Sequence, residues 1–265
     1  MLYFNSSLSM IFLLLSFGLI IGSFLGVCIK RIPLGDFWKS QRSLCPLCGK
    51  TIPFYLNIPL FSFLLLRGKS HCCKQKISSF YPIVELLTAL FLLASYFSSP
   101  FLSFLEGGGF LFERDEFFRF SHKAVFSCLM IVCSGIDFDH KIIPDIISLP
   151  MILLTPLVVY FHPELPWLDA LIGVFLGGGV IYLVAWLYYL LRKEEGMGMG
   201  DAKLLAAIGG WLGYKAVLPT LLYSSLIGSV FGLTSMIYSK KMNLKSEIPF
   251  GPFLALASLL YLFGR

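Results

Sequence analysis

The sequence predicts an all-α, polytopic membrane protein of about eight transmembrane helices, with a cytoplasmic zinc-ribbon-like loop after the first helix. Three observations carry this. Of the 265 residues, 57% are hydrophobic and 14% charged, against about 45–50% and about 25% in an ordinary soluble domain. The apolar residues gather into runs near 8–29, 82–98, 122–136, 146–161, 168–191, 202–213, 216–238 and 249–263. A helix needs roughly 20 residues to span a bilayer, and the third and sixth runs are the shortest against that measure. The runs are apolar on all sides, without the alternation that marks a transmembrane β-barrel strand.

The first run has no basic residue before it and is followed by Lys30 and Arg31. A secretory signal has the reverse order, so a retained first helix is expected. The segment 30–81 then brings Lys30, Arg31, Lys39, Arg42, Lys50, Arg67, Lys69, Lys74 and Lys76. Loops assigned to the same side add Lys141, Arg192, Lys193, Lys203, Lys240, Lys241 and Lys245, whereas Arg114, Arg119, Lys123, Lys215 and Arg265 fall on the other. Sixteen basic residues against five make the first side cytoplasmic and put the N-terminus outside. The chain divides accordingly into a first helix (1–29), a cytoplasmic Cys-containing loop (30–81) and a membrane-embedded remainder (82–265).

Of seven cysteines, Cys28, Cys128 and Cys133 lie in or near apolar runs and read as core residues. Cys45, Cys48, Cys72 and Cys73 share the polar loop, which also holds Pro46, Pro53 and Pro59. A reducing cytosol disfavours structural disulfides, so metal binding is the better reading. Zinc takes four N or S ligands in a tetrahedron, and Cys45-Pro46-Leu47-Cys48 supplies two. The second half, Ser70-His71-Cys72-Cys73, lacks the C-x-x-C spacing; Cys73 with either Cys72 or His71 completes the set. The alternative is a loop with free thiols. Zinc would give folding energy to a loop with few core residues.

Glu85 lies just inside the second run. A carboxylate there is costly without a partner; pairing with a basic loop residue or a chemical role are the alternatives. Gly107-Gly108-Gly109, with Glu106, Glu113, Asp115 and Glu116, reads as a flexible outer loop. The third run ends in Asp137-Phe138-Asp139-His140-Lys141-Ile142-Ile143-Pro144-Asp145, and Gly198-Met199-Gly200-Asp201 precedes the sixth. Both stretches put aspartate at the cytoplasmic end of an apolar run. An ionisable residue there marks a functional site by default, and two such residues suggest a carboxylate pair for acid–base hydrolysis. Gly177-Gly178-Gly179 and Gly209-Gly210 suit close helix packing. Glu194 and Glu195 beside Arg192 and Lys193 are either solvated or meet a basic partner.

Nothing fits a Walker loop, a serine nucleophile elbow or an H-E-x-x-H helix, and no transporter repeat is evident. Topology accounts for the basic residues, so nucleic-acid binding is not expected; membrane lipid is.

The residues together resemble those of the bacterial prepilin peptidases, or type IV leader peptidases. The likeness runs nearly end to end. Gly22-Ser23-Phe24-Leu25-Gly26-Val27-Cys28-Ile29-Lys30-Arg31-Ile32-Pro33 looks like the family's first-helix signature, with Gly26 where Asn is usual. Asn57-Ile58-Pro59, Leu64-Leu65-Leu66-Arg67-Gly68-Lys69 and Tyr81-Pro82-Ile83-Val84-Glu85-Leu86-Leu87-Thr88 follow in family order. Then come the two aspartate motifs and Ile248-Pro249-Phe250-Gly251-Pro252.

The resemblance implies a multi-pass aspartic protease of the bacterial inner membrane. Such enzymes cut the leader of type IV prepilins and of type II secretion pseudopilins after a glycine, typically before phenylalanine, at the cytoplasmic face. Many also N-methylate the new terminus with S-adenosylmethionine, an activity the large loop accompanies. The catalytic pair it implies is Asp137, seven residues before Pro144, and Asp201, which closes the glycine motif. Gly198 and Gly200 then either admit a substrate strand or merely permit a turn. Asp139 is a supporting acid or a solvated residue, and Asp145 suits a helix cap. Lys203 either biases the pair toward ionisation or snorkels to the interface. The family's second pair is Cys-x-x-Cys, where this chain has Ser70 and Cys73. The alternative function is therefore a peptidase that has lost methylation.

Overall fold

The computed structural model describes residues 2–36, 45, 48–53, 58–104, 110–162, 164–193, 198–238 and 248–264. The expectations attached to Lys39, Arg42, Pro46, Asn57, Glu106, Gly107–Gly109, Glu194, Glu195, Lys240, Lys241, Lys245 and Arg265 lie outside the described residues. Each of the eight apolar runs is helical. In order come α1 (Leu2–Arg31), α2 (Phe61–Leu65), α3 (Phe80–Ser98), strands β1 (Leu102–Phe104) and β2 (Phe110–Phe112), α4 (Arg114–His140), α5 (Asp145–Leu153), α6 (Thr155–Phe161), α7 (Trp167–Arg192), α8 (Met199–Leu212), α9 (Tyr214–Tyr238) and α10 (Gly251–Phe263). Among the described residues five helices, α1, α3, α4, α7 and α9, are long and apolar enough to cross a membrane. The chain forms two compact units, 1–132 and 133–265, whose boundary falls within α4.

In the first unit α1 packs along α3. A Cβ at Gly22 would lie 2.5 Å from the Glu85 Cα, so only glycine allows this approach. Leu14, Leu92 and Ala124 join α1, α3 and the start of α4 in a buried cluster. The short antiparallel β1–β2 pair, with Leu102 opposite Phe112, departs from an all-helical reading. Phe101 sits beside it among Tyr96, Phe112, Phe117 and Phe120, an apolar cluster that rewards the local pairing. Asp115 and Glu116 occupy the first turn of α4, where the helix dipole favours acids, and Arg119 pairs with Glu116.

In the second unit α8 is the central element, packing against α5, α6, α7, α9 and α10. Leu204, Leu205, Ala207 and Ile208 have no exposed surface. The close fit to α7 follows from glycine: a Cβ at Gly209 would lie 2.1 Å from the Gly173 carbonyl oxygen, and one at Gly177 2.3 Å from that of Leu205. Gly179, by contrast, faces open space. The run 146–161 breaks at Leu154 into α5 and α6. Pro156 has no N–H for the ladder and its ring opposes the carbonyl four residues back. Trp211 Nε1 donates to the Met151 carbonyl at 2.8 Å, joining α8 to α5 near that break.

Candidate active site and metal centre

Asp137 lies in the last turn of α4, which closes on Lys141, whose N–H donates to the Asp137 carbonyl at 2.8 Å. Lys141 has a left-handed φ of 56°, so the chain turns sharply there, passes Ile143-Pro144 and starts α5 at Asp145. Gly198 precedes the first turn of α8 and Asp201 sits within that turn. Gly200 packs against the intervening turn, since a Cβ there would lie 3.0 Å from the Ile143 Cβ. This contact brings the end of α4 and the start of α8 together. The Asp137 carboxylate acts electrostatically on Asp201. Asp137 is 5% exposed and Asp201 is half-buried.

Burial, and after it the Asp137 charge, push the Asp201 carboxyl up to about 7. A carboxylate pair of this kind can supply a base and an acid, the combination that hydrolysis through an activated water uses.

The supporting residues fall as follows. Gly198 has φ −69° and ψ 135°, a backbone conformation open to any residue, and a Cβ there would lie 3.6 Å from Asp201 Oδ2. Asp139 and His140 are exposed at the end of α4. Lys203 Nζ pairs with Asp145 Oδ1 at 2.6 Å. Asp145 is thus not the cap of α5, a position held by Pro144; it takes the charge of Lys203 instead.

The contact that sequence reasoning missed is made by Gly251. Its N–H donates to Asp137 Oδ2 at 2.8 Å, and a Cβ there would lie 2.7 Å from the same oxygen. The signal was a Gly-Pro pair opening the last apolar run, a helix-start pattern that carries no hint of which carboxylate it meets.

In the first unit, backbone bonds among the described loop residues form two turns near the cysteines. Cys45 N–H donates to the Lys50 carbonyl at 2.8 Å and Gly49 N–H to that of Cys45 at 2.9 Å; Ser70 N–H donates to Gln75 at 2.8 Å and Lys74 N–H to Ser70 at 2.9 Å. Together they bring Cys45, Cys48, Cys72 and Cys73 close, all four Sγ atoms within 4.8 Å of one another. Cys45 Sγ and Cys73 Sγ are 3.9 Å apart, near the roughly 3.8 Å edge of a tetrahedron with Zn–S bonds of about 2.3 Å. His71 is exposed and not part of this group.

Ser70 is 6% exposed and points at the sulfurs, 3.4 Å from Cys45 Sγ and 3.0 Å from Cys72 Sγ. It stands where a C-x-x-C pair with Cys73 would have its first sulfur, and Cys72 reaches the group from one turn on. Hydrogen bonding from Ser70, then from Cys48, holds the Cys72 thiol below its usual range. Sharing with Cys72 pushes Cys48 up to about 12. The donor set of four converging thiols fits zinc.

Glu85 is 7% exposed and accepts the Leu60 N–H at 2.7 Å, with Ser23 as a second donor. Its partner is thus backbone at the start of α2, not a basic side chain. Leu60 carries a left-handed φ of 55°, a strain of about 1–3 kcal/mol for a residue with a side chain, held in place by this bond.

A profile described as the bacterial peptidase A24 N-terminal domain matches residues 16–99, and one described as the type IV leader peptidase family matches residues 124–233. A protein of Xanthomonas campestris pv. campestris is 37% identical over 93% of this chain and 88% of its own. One of Stutzerimonas stutzeri is 35% identical over 96% and 90%, and one of Klebsiella pneumoniae 37% identical over 81% and 90%. All three are named prepilin leader peptidase/N-methyltransferase. No solved structure matches.

Proposed function

The chain belongs to the type IV leader peptidase family, and we propose that it cuts the leader from type IV prepilins and related pseudopilins, using Asp137 and Asp201, and N-methylates the new terminus. The observation that carries the reading is the burial of Asp137 within the electrostatic reach of Asp201 at the ends of two apolar helices.

In the proposed reaction the ionised carboxylate takes a proton from water, whose oxygen attacks the scissile carbonyl. The protonated carboxyl donates to the carbonyl oxygen. The tetrahedral intermediate collapses, the C–N bond breaks, and the leaving amine takes the proton first removed from water. Gly198, Gly200, Asp139 and Lys203, which neighbour the two aspartates in the chain, are assigned a supporting role. The cut follows a glycine at the cytoplasmic face of the inner membrane. The loop asymmetry in Lys and Arg supports that orientation, with the N-terminus outside.

S-adenosylmethionine is the methyl donor proposed from the relatives' names. The loop of residues 30–81 is the segment associated with methyl transfer. Cys45, Cys48, Cys72 and Cys73 would hold a zinc ion there, which would supply structural cross-linking to a loop poor in apolar residues. The convergence of four sulfurs despite the altered spacing favours a folded loop, and with it retained methylation. Membrane-embedded protein incubated with a synthetic prepilin and a labelled methyl donor should yield, by intact mass, a leader-free chain bearing one methyl group. An uncut substrate refutes the peptidase reading; a cut, unmethylated product refutes the second activity alone.

A further inference from the structure

The start of α10 receives a cap from another helix. A helix leaves its first N–H groups without intrahelical partners. Here Phe253 and Leu254 N–H both turn to the Phe250 carbonyl, at 3.1 Å each, and Pro252 has none to offer. Phe250 provides no side-chain cap. The one remaining donor, Gly251 N–H, goes to Asp137 Oδ2 at 2.8 Å. Asp137, from the end of α4, therefore serves as the cap of α10, and its carboxylate lies at the positive end of that helix.

A backbone N–H can only donate, so it favours the charged form of its carboxylate partner. Asp201 is placed differently. It sits in the first turn of its own helix, but among the described residues no hydrogen bond reaches its side chain. Asp139, His140 and Lys141, which follow Asp137, are exposed. Cys133, a turn before Asp137 on α4, is a fully buried thiol. Lys203 on α8 is engaged with Asp145 of α5, and α10 carries no charged side chain.

We propose that the Gly251 N–H, at the amino end of α10, holds the negative charge of the pair on Asp137 and leaves the shared proton on Asp201. Asp137 is then the base that activates water and Asp201 the acid that faces the carbonyl. Gly251 is a positioning residue: it acts through Asp137 and touches no substrate. Glycine is required because any Cβ would press on the oxygen that the N–H holds, at 2.7 Å. The inference rests on the peptidase reading above.

The test is the pH profile of kcat/KM for cutting a synthetic prepilin by the full chain in lipid vesicles. Gly251→Ala should move the acidic limb up by about one pH unit, a loss of about tenfold on the acid side, as expected for one hydrogen bond to a charged group. Methylation of pre-cut substrate should be unchanged, which reports a folded protein. Should the alanine variant lose both activities, an amide-to-ester replacement of the 250–251 linkage decides, since it removes the N–H without adding bulk. An acidic limb left in place by that replacement, or a movement of the basic limb alone, overturns the proposal. Asp137→Asn separates the two readings. If it still cuts, the carboxylate-pair reading fails; if it does not cut while the Gly251 changes leave the profile unmoved, only the positioning role fails.

Discussion

Lys203 Nζ lies 2.6 Å from Asp145 Oδ1, although the two are 58 residues apart. The pair ties the N-terminal part of α8 to the first turn of α5. Lys203 is thereby occupied by a neighbouring acid outside the pair. Both side chains keep substantial exposure, 33% and 57%, so solvent screens the interaction. Lys203→Met should cost less than about 1 kcal/mol and lower cutting by no more than a few fold. Thermal melting with a prepilin assay checks this, and a loss as deep as that of an aspartate variant would show Lys203 acting on the pair directly.

Asp137→Asn and Asp201→Asn should each lower cutting by about 10²–10⁴-fold, the range of an acid or base removed from its place. Because the two act as one unit, the double variant should be no worse than either single one. Methylation of a pre-cut pilin should persist in all three. Normal cutting by either single variant would remove that residue from the reaction.

The metal centre makes a prediction about spacing. Purified protein should carry about one zinc, lowered by Cys45→Ser and equally by Cys72→Ser. Ser70 already points at the other sulfurs, 3.4 Å from Cys45 Sγ. Adding Ser70→Cys to Cys72→Ser should therefore restore both the metal and the melting temperature. Metal analysis alongside a chelator melt measures this, and full zinc content in Cys72→Ser would exclude Cys72 as a ligand.

Glu85 anchors the start of α2 through the Leu60 N–H. Glu85→Leu leaves that donor unpaired in a buried place, at a cost of about 1–3 kcal/mol, and releases the strained backbone at Leu60. Limited proteolysis should then cut the segment around 58–65 more readily. Glu85→Gln keeps an acceptor oxygen and should lie between the two. Equal protease resistance in Glu85→Leu and the unmodified protein would argue against the anchoring role.

Much of this was legible along the chain because it is local. The apolar runs are helical, and the one that divides into two helices, 146–161, breaks beside Pro156. The aspartates announced themselves by sitting where apolar runs end. The exceptions involve distance or approach. The β1–β2 pair has three residues on each strand, too few to show an alternating pattern against an apolar background. Asp145 looked like a helix cap, and the pairing with Lys203 depended on where α8 came to lie. Glu85 raised the question of its partner, and a backbone N–H has no signature in sequence.

The sequence by itself determined that this is a membrane protein of many helices, that two aspartates stand at helix ends, and that four cysteines share one loop. Those features rest on composition and on periodicity within single segments. Only the tertiary structure decided that Cys72 joins the sulfur group, that Lys203 belongs to Asp145, and that Asp137 meets the Gly251 N–H at 2.8 Å. The reason is physical: a helix forms from its own residues, whereas the state of a carboxylate or thiol depends on neighbours that folding delivers from elsewhere in the chain.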